Sequence, residues 1–187
     1  MTEREGLREA VRPGRAAAAG AAAYVVGYLV TYVLVADTIR NSLAEQLLEL
    51  ASDGATIWKL VGWVFYSAQW VTVTVPGLFG GSNAVNLVES VDAFAPSLRA
   101  VAPVALLLAG AAVGWTADSA GEGTTRGAAV VLGYLPLALA GALLVRIPLG
   151  DARAGPDVIA AAAVGAGLAL VLGGLGGTLA AAASDRV

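Results

Sequence analysis

The chain has 187 residues, 58 % of them hydrophobic and 13 % charged, with a formal net charge of −3. Soluble domains carry about 45–50 % apolar and about 25 % charged residues, so these proportions and a mean hydropathy of +0.76 exclude an ordinary soluble domain and point to the bilayer. With no Cys and no His, disulfides, thiolate chemistry and Cys- or His-ligated metal centres are excluded, as is the side chain best suited to proton transfer near neutral pH.

In chain order, Met1 to Arg15 interleaves Arg4, Arg8, Arg12 and Arg15 with Glu3, Glu5 and Glu9. It reads as a cytoplasmic N-terminal segment (1–15) and not as a cleavable signal, because the apolar run that follows is too long for a signal core. About 20 mostly apolar residues are needed to cross the hydrocarbon layer. The first such stretch is Ala16 to Ala36, bounded by Arg15 and Asp37, with Tyr24, Tyr28 and Tyr32 recurring every four residues. That spacing predicts side chains packed on one helical face with their hydroxyls paired.

Residues 42–53 follow. Ser42-Leu43-Ala44-Glu45 has capping-box form, and Leu43, Leu47 and Leu50 share a face, so a short amphipathic helix on the outer surface is expected. Next comes the most distinctive segment, Trp58 to Trp70, which holds Lys59, Trp63, Tyr66, Ser67, Gln69 and Trp70 and runs into Val71-Thr72-Val73-Thr74-Val75-Pro76-Gly77. Read as a helix, residues 56–75 form a span with Lys59 snorkelling from its end and Trp63, Tyr66 and Trp70 on one face. The alternation and the Pro-Gly ending favour extended chain instead, which gives a re-entrant or interfacial helix followed by a segment packed on protein.

Three further spans are expected at about 100–117, 127–145 and 158–183. Pro136 is placed to kink the second of them, and Pro156-Asp157 marks the start of the last. Gly110 and Gly114 form a small-residue pair, and Gly165, Ala169, Gly173 and Gly177 form a stripe with a spacing of four. Small residues let helix backbones approach closely in lipid, either within one bundle or between copies.

The expected architecture is an all-α, polytopic transmembrane helix bundle forming one membrane domain over residues 16–184. Charge asymmetry chooses between five spans and four. With the N-terminus cytoplasmic, five spans place Arg4, Arg8, Arg12, Arg15, Arg99, Arg146 and Arg153 inside against Arg40, Lys59, Arg126 and Arg186 outside. Four spans even the division, so five are expected, in the cell membrane.

Apart from Lys59, no Asp, Glu, Lys or Arg lies within an apolar block. Proton-coupled carriers and most ion pathways depend on such groups, and no nucleophile elbow, zinc-protease or phosphate-loop motif is present. The expected role is therefore non-enzymatic, an assembly or transport-associated subunit without catalytic, metal or cofactor residues. A small channel or permease for a neutral or weakly charged solute is the alternative. The bilayer is the expected partner, a homo-oligomer or membrane complex would use the small-residue stripes, and nucleic acid is not expected as a partner. The ligand region, if there is one, falls at Lys59, Trp63, Tyr66, Gln69 and Trp70.

The segments Trp58 to Trp70, Gly133-Tyr134-Leu135-Pro136 and Gly173-Gly174-Leu175-Gly176-Gly177 resemble uncharacterised haloarchaeal multispanning membrane proteins. The likeness runs from about Arg15 to the C-terminus. It implies a membrane location and a haloarchaeal source, and it carries no activity, cofactor or catalytic residue.

Overall fold

A computed structural model describes residues 3–42, 56–76, 81–149 and 152–184. The expected amphipathic helix at 42–53 lies outside them, but for Ser42. The described chain is mostly helical: α1 (Glu3–Ser42), α2 (Thr56–Ala68), α3 (Leu87–Ser90), a 3-10 turn (Pro96–Ala100) leading into α4 (Val101–Gly114), α5 (Ala120–Ala128), α6 (Val131–Leu144) and α7 (Val158–Ser184). Four helical stretches among the described residues are long and apolar enough to cross a membrane: Pro13–Arg40, Pro96–Gly114, Ala120–Leu144 and Val158–Ser184. The last starts where Asp157 caps the helix, its carboxylate accepting from the Ala160 N–H at 2.8 Å.

Two expectations change. The chain is not purely helical, because β1 (Val73–Pro76), β2 (Ser82–Val85), β3 (Ile147–Leu149) and β4 (Ala152–Pro156) form an antiparallel sheet in the order β2-β1-β4-β3. The segment at 56–75 is also not one helix. Its 13-residue helix α2 is about 20 Å long at 1.5 Å per residue, short of a roughly 30 Å hydrocarbon layer. The β-branched alternation beyond Val71 wins over helix continuation, pairing Val73 with Val85 on one side and Pro156 on the other.

By contact density the chain divides into two compact units. One comprises residues 1–26, 102–137 and 165–187 and is built on close backbone approach. A methyl added at Gly110 would collide with Gly173, and one at Gly114 with Gly177; α5 meets the same two α7 residues through Gly123 and Gly127. All four stripe positions, Gly165, Ala169, Gly173 and Gly177, are buried within the chain. The two small-residue patterns are thus fitted to each other, and Thr124 and Thr178 share a hydroxyl hydrogen bond of 2.6 Å beside them. Tyr24 meets Tyr134 edge-on at 5.5 Å. The irregularity between α5 and α6 sits at Ala129–Val130, where i→i+3 bonds replace helical ones, and not at Pro136, which lies inside α6.

The other unit comprises residues 27–101 and 138–164 and holds α2, the sheet, α3 and the 3-10 turn. Its core is α2: Leu60, Val61, Trp63, Val64, Phe65, Tyr66, Ser67 and Ala68 are all buried. A helix apolar on every side must be covered on every side, and α1 contributes Gly27 against the Phe65 ring and Tyr28, whose hydroxyl donates to the Trp58 carbonyl at 2.8 Å.

Candidate functional site

The segment that the sequence singles out is tied to both ends of the connection between α6 and α7. The Trp63 indole N–H donates to the carbonyl of Val145, just past the end of α6, at 2.8 Å. One helical turn later the Tyr66 hydroxyl donates to the carbonyl of Ala138, which lies seven residues back along α6, or about 10 Å. The chain then reverses: Thr72 O accepts from Asp157 N at 3.0 Å, and Val73 pairs with Pro156, immediately before α7. Because the β3–β4 hairpin links the end of α6 to the start of α7, both anchor points belong to the same end of those helices. Gly62 is required where α2 passes the end of α6, since a methyl there would strike the Val145 side chain.

The reversal rests on a C-terminal cap of the Schellman type. Trp70 N donates to Ser67 O and Val71 N to Tyr66 O, both at 3.1 Å, with Trp70 at φ 61°. Glycine is usual at such a position; here a tryptophan occupies it, half exposed. The helix therefore ends before Trp70, which does not share a face with the buried Trp63 and Tyr66. The Arg99 guanidinium stacks on the Trp70 ring at 5.6 Å and bonds Glu89 at 2.6 Å. Its Nε–H is buried with no acceptor among the described residues.

Polar groups inside the element are neutral and engaged with backbone. Ser67 is the hub: its hydroxyl accepts from Leu87 N at 3.2 Å and its carbonyl accepts from the Asn86 amide at 3.0 Å. The other end of Asn86 caps α3 by accepting from Val88 N. Gln69 donates to Phe65 O at 3.2 Å. Lys59 lies in the first turn of α2 with its ammonium 5.6 Å from the Trp58 ring centre, away from this hub in sequence.

The structure therefore brings Trp63, Tyr66 and Gln69 into the core, leaves Trp70 at the surface, and places Lys59 at the start of the helix. Asn86, Glu89 and Arg99 are the residues that inspection of the sequence passes over. Asn86 and Glu89 did carry a signal, an N-cap residue followed three positions later by an acid. Among the described residues no cluster of three Asp or Glu could hold a metal.

No curated protein matches the chain, and no solved structure does. The model of a family of unknown function, DUF7978, matches residues 2–184, and the chain belongs to that family.

Proposed function

We propose that this protein is a non-enzymatic integral component of the cell membrane, crossing it four times with its N-terminus cytoplasmic and serving as an assembly or transport-associated subunit. The observation that carries this reading is how buried polar groups are used in and around α2. Ser67, Gln69, Asn86 and Thr31 each hydrogen-bond backbone atoms. These bonds stabilise a fold and do not present a nucleophile or a base to a substrate. The surface supports the same reading: Val33 and Ile159 are about four-fifths exposed, at 78 % and 82 %, which costs nothing against acyl chains and much against water.

The return of the chain through β1 favours four crossings plus a re-entrant helix over five crossings. In that arrangement Arg40, Lys59, Arg99, Arg146 and Arg153 share one side, and the charge division is six against five. Charge asymmetry of that size is too slight to decide orientation. The cytoplasmic N-terminus rests on the four arginines before Ala16.

Any self-association would use surfaces other than the stripe of Gly165, Ala169, Gly173 and Gly177, which is spent inside the chain. A second reading, a small channel or permease for a neutral solute, is favoured by the helix that ends inside the unit. Non-helical backbone at membrane depth occurs where it is buried in protein or lines a path. The membrane reading is tested by alkaline carbonate extraction, which should leave the protein in the pellet; release to the supernatant would sink it. Flux of uncharged solutes into proteoliposomes separates the two roles, with leakage equal to empty vesicles expected for the subunit.

A further inference from the structure

We propose that the first unit carries a binding site for a phosphodiester-headed lipid, in a cleft distinct from the α2 region. The cleft has a volume of about 550 Å³, within the roughly 300–1,000 Å³ typical of ligand pockets. Ala112 and Val113 of α4 and Ala129 after α5 give it an apolar part of its lining. Arg15, Arg126, Asp118 and Thr125 give it a polar part. These residues come from where the stretch Pro13–Arg40 begins, Pro96–Gly114 ends and Ala120–Leu144 begins. The cleft therefore sits at the ends of spans, the level at which headgroups lie.

Arg126 is built in. One guanidinium nitrogen donates to the Thr116 carbonyl at 2.6 Å and to its hydroxyl at 3.2 Å, and the other pairs with Glu122. The Arg126 side chain keeps 17 % of its surface exposed. Its direction is fixed before any ligand arrives, which removes most of the ordering cost of binding. Glu122 is held in turn, accepting from Asp118 N at 3.0 Å. Arg15 differs: it is exposed.

A phosphate oxygen pair suits a guanidinium fork, and basic pockets between spans are a recurring means of holding lipid headgroups. Charge selects the class. Arg126 is balanced by Glu122, and Arg15 shares the cleft with Asp118, so the lining suits a singly charged phosphodiester better than a multiply charged phosphate. The apolar part of the lining then takes the first part of an acyl chain, which a soluble anion could not use.

This inference rests on the membrane reading, but its test does not depend on that reading's outcome, since binding is measured on delipidated protein in detergent. Native mass spectrometry would be run with dioleoyl phosphatidylglycerol, with dioleoylglycerol, which has the same chains and no phosphate, and with glycerol 3-phosphate. At least tenfold tighter retention of the phospholipid than of either control is expected. Arg15→Gln should cut that retention threefold or more, and Ala112→Leu, which narrows the cleft, should cut it similarly, with unchanged circular dichroism and melting temperature in both. Equal retention of phospholipid and dioleoylglycerol, or no effect of either variant, overturns the proposal. Glycerol 3-phosphate binding as tightly as the lipid also overturns it, assigning the cleft to a soluble phosphate.

Discussion

The Trp70 ring lies 5.6 Å from the guanidinium carbon of Arg99 while its own backbone is held at φ 61°. These two facts oppose each other energetically. A non-glycine residue in the left-handed region costs about 1–3 kcal/mol, whereas an exposed cation–π contact returns about 0.5–1 kcal/mol. The side chain therefore brings no evident stability to its own turn. Trp70→Gly should leave stability within about 1 kcal/mol of the native protein or raise it, and Trp70→Val, β-branched at positive φ, should lower it by more. Unfolding in mixed detergent micelles measures both. A loss above about 2 kcal/mol in the glycine variant would mean that the indole anchors the fold.

The Ser67–Asn86 pair is the second test, because it ties the α2 turn to α3. Asn86→Ala removes both the cap on Val88 N and the donor to Ser67 O. A lost cap costs about 0.5–2 kcal/mol and an orphaned buried partner about 1–3 kcal/mol, so a loss of about 2–3 kcal/mol is expected. Asn86→Asp keeps the acceptor and should recover the capping part. If Asp is no better than Ala in chemical denaturation, the cap contributes nothing measurable.

Much of the fold was legible from apolar length alone. Four uninterrupted blocks became four long helical stretches, since in lipid a continuous apolar segment has few alternatives to helix. The region 56–75 was ambiguous because two local codes meet there: an apolar helix up to Ala68 and a Val-Thr alternation from Val71. The alternation became a strand because β2 and β4 pair with it on its two sides, and Ala152-Arg153-Ala154-Gly155-Pro156 carries no β-propensity to announce the second partner. The cleft at Arg15 and Arg126 was illegible for another reason. Its residues lie more than a hundred positions apart, and neither arginine differs in sequence context from an ordinary charged span boundary.

The glycines make opposed predictions along one helix. A methyl at Gly173 would meet Gly127 O at 2.5 Å and Val130 Cγ2 at 2.6 Å, whereas at Gly167 nothing lies within 4 Å. Gly173→Ala should cost about 1–3 kcal/mol by overpacking. Gly167→Ala should be neutral or stabilising by up to about 1 kcal/mol, because alanine loses less backbone freedom in a helix. Equal effects of the two changes would show that α7 does not pack as described.

Topology gives the last test, and the absence of native Cys makes it clean. Ser82 and Arg153 lie in β2 and β4 of the same sheet, and Ser119 lies between α4 and α5. All three are exposed. If α2 re-enters, cysteines placed singly at 82 and 153 face the same compartment, and one at 119 faces the opposite one after the crossing by Pro96–Gly114. With a cytoplasmic N-terminus, an impermeant thiol reagent added to intact cells should label Ser82→Cys and Arg153→Cys and spare Ser119→Cys until the membrane is broken. Five crossings reverse that pattern under the same orientation: Ser119→Cys labels and the other two are protected. Because β1 pairs with β4, residues 82 and 153 must agree in either case. A split between them would overturn the sheet itself, a stronger failure than a change in the number of spans.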